Sequence, residues 1–278
     1  MYSPCAFRVK LAKVYSSYLP FSSVRYSSSH VKSEVIDNEV QILTLNHPKS
    51  ANSLSLTLMK EFLSVLESVK SSKSIRALMI TGEGRFFSAG HNLHEIVQSP
   101  DVNPKEVFSM AVKVMKELAE LPVPSIAAVN GPAVAAGCQL VAACDLAISA
   151  KSAIFAASGI KLGLFCNTPG VPLVRAIGLR AANELLLTGK NISADRAYEL
   201  GLVHRVVDDD KLYAAGIDFA KEITQHSKDA MRLGRETLHK QASMPLMEAY
   251  TLAAEAMVQN LQFDDTKQGI QSFLNRKK

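Results

Sequence analysis

The sequence predicts an α/β protein with mostly parallel strand pairing, and three observations carry that prediction. Short apolar runs recur along the chain, and stretches with helical spacing separate them. Two of the runs end in turns built of small residues. From about Tyr213 onward only helical spacing remains, so a helical C-terminal region follows the α/β part.

Each element can be justified in order. Residues 39–46 read as a strand, and H-P-K-S-A-N-S, residues 47–53, as a turn and loop. Leu56, Met59, Phe62, Leu63, Leu66 and Val69 recur at helical spacing and predict an amphipathic helix. Residues 76–82 form a buried strand ending in a glycine loop, and residues 108–121 a helix. Residues 124–131 are again strand-like, and 135–144 are compatible with a helix. Residues 145–150 and 152–156 read as short strands. Helices follow at 172–177, at 180–187 with Gly189 as its cap, and at 193–200 between Ser193 as N-cap and Gly201 as C-cap. Residues 203–207 close the pattern as a strand. Leu246, Tyr250, Ala253, Met257 and Leu261 lie along one long helix, packed either on a neighbouring core or on its own.

The 278 residues suit one domain with a small appendage, and 47% hydrophobic against 21% charged residues suffices for a sizeable core. No apolar run is long enough to span a membrane. The net charge of +5 is concentrated at the N-terminus. Removing Arg8, Lys10, Lys13 and Arg25 from the 31 basic residues leaves 27 against 26 acidic ones, which excludes a nucleic-acid-binding face. That N-terminus is Ser-rich and free of acids until Glu34, the composition of a mitochondrial transit peptide, with a disordered tail as the alternative. The expected organisation is therefore residues 1–33 as a targeting or disordered segment, 34–212 as an α/β core and 213–278 as a helical region. The four cysteines lack C-x-x-C spacing and read as reduced, mostly buried thiols.

Several motifs can be set aside. G-E-G-R-F-F lacks the third glycine of a dinucleotide loop, where Phe87 stands. L-T-G-K-N is incomplete as a phosphate loop. Neither H-E-x-x-H nor G-x-S-x-G occurs, so no metal site or serine elbow is expected. What stands out is a pair of turns, F-F-S-A-G-H-N-L (residues 86–93) and N-G-P-A-V-A-A-G-C-Q-L (residues 130–140). Each follows a strand and precedes a helix. Two such turns side by side can aim two backbone N–H groups at one oxygen, which is what an oxyanion formed from a thioester carbonyl needs. Small side chains let the ligand touch backbone.

These turns, with L-N-H-P-K-S-A-N-S-L-S, K-L-G-L-F-C-N-T-P-G, L-L-L-T-G-K-N-I-S-A-D-R-A-Y-E-L-G-L-V and the terminal Q-G-I-Q-S-F-L-N-R-K, resemble the enoyl-CoA hydratase/isomerase (crotonase) family over nearly all the chain after residue 33. The resemblance implies a crotonase (ClpP-like) β-β-α spiral with a C-terminal helical trimerisation region, assembled as a homotrimer or hexamer. It implies an acyl-CoA thioester as ligand, no other cofactor and no metal. It also implies a place in mitochondrial (matrix) fatty-acid metabolism.

Carried over by motif, the oxyanion donors are the N–H groups of Ala89 and Ala136. Ala89, Gly90, His91 and Asn92 line the thioester. Lys49 to Ala51 meet the adenosine end, and Phe273 and Arg276 match an F-x-x-[KR] that reaches a neighbouring subunit's CoA. Core packing is the alternative for Phe273. The departures matter more. The family's two proton-handling glutamates belong where this chain has Gln139 and Gly159. A Gln amide orients water but cannot accept its proton, and Gly159 offers no side chain. Losing one general acid or base costs about 10²–10⁴-fold in rate, so ordinary hydration is expected to be weak or absent. His91, Asn92, Glu95, Cys166, Asn167 and Thr168 are the candidate replacements, and Asp145 is structural. Two functions stay open: a lyase of decarboxylase type that uses the oxyanion hole, and a non-catalytic acyl-CoA-binding regulatory protein.

Overall fold

The computed structural model describes residues 30–275. The expected transit segment and Arg276 lie outside them, wholly for residues 1–29. A six-stranded sheet is ordered β1–β2–β3–β4–β6–β9. β1 (Val31–Ile36) runs antiparallel to β2 (Val40–Leu45). Asp37 and Asn38 turn between them at φ 51° and 60°, a region that short Asx side chains tolerate. β1 begins three residues before the boundary that composition suggested. Its alternating polar pattern, typical of an edge strand, carries little apolar signal.

β3 (Ala77–Gly82), β4 (Ser125–Val129), β6 (Leu146–Ala150) and β9 (Arg205–Val207) continue in parallel. β3 and β4 are buried almost end to end, as parallel strands covered on both faces must be. One face is covered by α1 (Leu56–Ser71) and α3 (Pro104–Ala119), with the short α2 (Leu93–Gln98) between them in sequence. β5 (Ala133–Val134) leads into α4 (Ala136–Ala143). β5, β7 (Ile154–Ala156) and β8 (Ile192–Ser193) form a second, three-stranded sheet.

α5 (Asn167–Thr188) is broken at Gly178, φ 75°, into the two helices expected there, and Gly189 ends it at φ 61°. α6 (Ala194–Glu199) starts as expected, with Ser193 Oγ accepting the Arg196 N–H, but its cap is Leu200, one residue before Gly201.

The helical region comprises α7 (Leu212–Thr224), α8 (Lys228–Gln241), α9 (Leu246–Asn260) and α10 (Asp264–Asn275). α7 covers the second sheet face through Leu212, Phe219 and Ala220. The stripe along α9 does not pack on the chain's own core: Leu246, Tyr250 and Met257 are exposed, and Ala249 is that helix's one buried residue. No helix among the described residues is long and apolar enough to cross a membrane.

Candidate active site

Three loops meet at the C-terminal ends of β2, β3 and β4, the edge where open parallel sheets bind ligands. The first holds a 3-10 turn at Pro48–Ser50 and then Ala51 and Asn52, both at φ near 52°. Asn52 Nδ2 donates to the Glu83 and Phe86 carbonyls at 3.0 and 2.7 Å, tying this loop to the second. Leu54 N–H donates to the Gly90 carbonyl at 2.7 Å. The second and third loops are bonded through Val134 N–H to the Ser88 carbonyl (2.9 Å) and Ser88 N–H to the Pro132 carbonyl (3.2 Å).

Two glycines make this contact possible. A Cβ on Gly137 would lie 2.2 Å from the Ser88 carbonyl oxygen. A Cβ on Gly90, at φ 89°, would lie 2.9 Å from the Ala136 nitrogen. The two small-residue turns therefore touch backbone to backbone, as their composition suggested.

The assignment of Ala89 as a donor needs correction. Its N–H already donates to the Ala51 carbonyl at 2.9 Å. Among the described residues, the N–H groups of His91 and Ala136 have no protein acceptor. Ala136 opens α4, and its N–H is one of the helix's unpaired first-turn donors. Ala135 before it is held at φ 49°, ψ −114° by its own N–H bond to Ala156, 2.8 Å long. The motif alone could not separate Ala89 from His91; the Ala51 bond, 38 positions distant in sequence, decides it.

Gln139 follows Ala136 on the same face of α4 and is 6% exposed. Its amide has no hydrogen-bond partner among the described residues. It walls a cavity of about 1150 Å³ and also a small void shared with His91 and Ala136. The other departure is more constrained. A Cβ on Gly159 would meet the Leu164 carbonyl at 2.5 Å and Cys166 Sγ at 2.8 Å. No side chain fits there in this conformation.

The candidate replacement groups separate cleanly. Glu95 accepts the Leu56 N–H at 3.0 and 3.2 Å and so caps the start of α1. Asn92 accepts the Glu95 N–H and caps α2. Asn167 donates to the Phe165 carbonyl at 3.3 Å. Burial pushes the Cys166 thiol up, against the Gly159 N–H that donates to its sulfur, so it is protonated at neutral pH. His91 keeps both ring nitrogens buried without a hydrogen bond, edge-on to Phe108. Burial lowers its pKa, with the nearby Leu54 carbonyl opposing weakly, so the ring is neutral at pH 7. Thr168 lines the large cavity.

Asp145 lines it too, but it is engaged on every side. It accepts Ser125 N–H and Oγ at 2.8 Å each, Arg235 Nε at 2.9 and 3.0 Å, and pairs with His239 Nε2 at 3.0 Å. Burial alone would raise its pKa; the His239 and Arg235 contacts outweigh that and hold it at about 2. Phe273 is 57% exposed on α10 and lines neither cavity; Lys49 is exposed on the first loop. Among the described residues no cluster of His, Cys, Asp and Glu could hold a metal ion.

The family model for enoyl-CoA hydratase/isomerase matches residues 35–278. The chain belongs to the enoyl-CoA hydratase/isomerase family. Family members bind CoA thioesters, and the α/β core with its helical C-terminal region is the crotonase fold. The chain is 40% identical over 241 residues to "Enoyl-CoA hydratase domain-containing protein 3, mitochondrial" of Mus musculus, covering 86% of this chain and 80% of that one. Against the Homo sapiens protein of the same name the identity is 41%, with 86% and 79% covered. The crystal structure of that human protein superposes with a TM-score of 0.85 at 39% identity, covering 90% of this chain and 98% of the other. An enoyl-CoA hydratase from Mycobacterium smegmatis gives 0.86 at 36% identity, covering 90% and 97%. The mitochondrial names of these relatives agree with the location expected from the N-terminal composition of this crotonase-family chain.

Proposed function

We propose that this protein binds an acyl-CoA thioester in the mitochondrial matrix and stabilises the enolate of its acyl group, with ordinary enoyl-CoA hydration weak or absent. One observation carries this. Two backbone N–H groups without protein acceptors, on His91 and Ala136, sit on turns in direct contact, while the adjoining positions 139 and 159 hold an amide and a glycine. Donors aimed at a developing oxyanion contribute about 10²–10³-fold each. Proton transfer at a carbon contributes a separate factor, and Gln139 cannot supply it. Lys49 and Ala51 meet the adenosine end of the ligand, and Phe273 and Arg276 belong to a neighbouring subunit's site in a trimer or hexamer. The exposed apolar face of α9 supports that assembly.

A decarboxylase reading is favoured by the same pair of donors. Loss of CO₂ from a malonyl-type thioester breaks a C–C bond, leaves the electron pair on the enolate held by the two N–H groups, and takes its proton from solvent. No protein base is needed to reach the enolate. A regulatory acyl-CoA binder is the remaining alternative. Purified protein should be titrated with CoA thioesters and assayed for turnover of crotonyl-CoA and malonyl-type CoAs. Binding with negligible crotonyl-CoA hydration is the expected result. Rapid hydration would overturn the assignment of Gln139 and Gly159, and absence of binding would overturn the whole reading.

A further inference from the structure

We infer that His91 and Gln139 hold one buried water beside the two oxyanion donors, and that this water and the His91 imidazole together move the proton at the carbon next to the thioester carbonyl. This rests on the acyl-CoA reading above and names a proton carrier that the reading leaves to solvent.

His91, Ala136 and Gln139 border one small void. The first two also supply the backbone donors assigned above, so the void and the enolate oxygen have two residues as common neighbours. The void offers about 10 Å³ to the centre of a water molecule. One buried water needs roughly 10–15 Å³ and two to four polar partners. Among the described residues that line it, His91 and Gln139 are the only ones whose side chains carry nitrogen or oxygen. Phe62 of α1, Val114 of α3 and Leu140 of α4 are among the apolar remainder.

Both polar side chains lack what such a water gives. Nδ1 and Nε2 of His91 are buried and bond to nothing in the protein. Gln139 is 6% exposed, and its amide has no hydrogen-bond partner among the described residues. Buried polar side-chain atoms nearly always find a partner, in protein or in ordered water. One water between ring and amide serves both. The Leu54 carbonyl stands beside the ring, so the nitrogen facing it carries the proton and the other is the acceptor for the water. Gln139 orients that water and keeps its own protons.

The step balances within these groups. The water takes the α-proton of a bound acyl-CoA as it passes its own proton to the neutral imidazole. The electron pair of the broken C–H bond moves to the carbonyl oxygen that faces the His91 and Ala136 N–H groups. Run backwards, the imidazolium returns a proton through the water to the carbon, and an enolate left by loss of CO₂ is protonated in the same way. No titratable or charged side chain of α1, α3, α4 or the first loop lines the void, so burial and the Leu54 carbonyl set the protonation of the ring. Hydration also needs a water activated at the next carbon, which this relay does not supply.

Two measurements on the full protein test the inference. A high-resolution crystal structure of the wild type should show one water within about 3.2 Å of a His91 ring nitrogen and of the Gln139 amide, and Q139M should lack it. Butyryl-CoA at saturating concentration in D₂O, followed by mass spectrometry, should gain deuterium at the α-carbon. H91Q and Q139M should each slow that exchange about tenfold or more. Saturation keeps a change in affinity out of the rate. Wild-type exchange should fall as pH drops through the lowered range of the buried histidine, because the protonated ring accepts nothing, and H91Q should abolish that fall. A structural role for His91 would leave the pH profile in place. A dry void, a wild type that binds butyryl-CoA without exchange, unchanged rates in both variants, or a pH profile that survives in H91Q would each overturn the inference while leaving the acyl-CoA reading intact. Absence of butyryl-CoA binding to the wild type would overturn both.

Discussion

Replacing Arg235 with methionine should destabilise the protein by about 3–5 kcal/mol. Arg235 is 7% exposed on α8, and Nε donates to both Asp145 oxygens. Its terminal nitrogens donate to the carbonyls of Leu118, Ala119 and Leu121 at 3.1, 2.9 and 2.6 Å. These carbonyls end α3 and its following turn, so the guanidinium caps that helix while neutralising the carboxylate. Methionine keeps most of the packed volume, so the loss reports the polar contacts rather than a void. It strands a buried carboxylate and three helix-end carbonyls. D145N strands the cation instead. The double variant removes both charges and should be more stable than the two single losses summed, by about 1–3 kcal/mol. The assay is urea unfolding followed by circular dichroism at matched protein concentration. R205M is the control: Arg205 grips Glu222 at 2.8 and 2.7 Å, but both side chains are exposed, so screening leaves that pair little effect. If R235M costs no more than R205M, or if the cycle is additive, the capping account is wrong.

Acid should act through the same carboxylate. The His239 and Arg235 contacts outweigh burial and hold the Asp145 carboxyl at about 2 in the folded protein, below the ordinary carboxylate range, so its contribution is complete above about pH 4 to 5 and is lost as pH falls through about 2. That shift is worth about 2 kcal/mol, and the difference in stability between wild type and D145N should shrink over this window in pH-dependent melts. G137A should cost about 2–3 kcal/mol and weaken CoA-thioester binding, because its methyl would strike the Ser88 carbonyl and part the two turns. A135G should raise the melting temperature by about 2–4 °C, since Ala135 occupies a backbone region that glycine takes without strain. Q139E should retain the fold and raise crotonyl-CoA hydration by about tenfold or more, whereas adding G159E should lower thermal stability with no further gain in rate.

The α/β core was legible because parallel strands buried on both faces leave uninterrupted apolar runs. Residues 76–82 and 124–131 are such runs, and β3 and β4 lie within them. β1 was not legible, because V-K-S-E-V-I buries only part of one face. The touching turns were readable from their small residues, since a close backbone contact tolerates little else. Which N–H stays free was not. That depends on the Ala51 carbonyl reaching Ala89, a nonlocal bond that no spacing encodes.

The two departures from the glutamate pattern are physically different. Gln139 differs from a carboxylate by one group and already borders open space, so the fold would accept either. Gly159 is enclosed by the Leu164 carbonyl and the Cys166 thiol, so a side chain there would require the 3-10 turn at Ser158–Leu162 to move. A carboxylate at 139 would also face an apolar cavity, where its charge would be poorly solvated and its pKa raised. The neutral amide avoids that penalty and leaves the oxyanion position as the place where negative charge is best received. Under the proposed decarboxylation, a substrate that brings its own leaving carboxylate would need no protein base, and negative charge would pass from that carboxylate to an enolate oxygen facing the His91 and Ala136 N–H groups without the amide changing state.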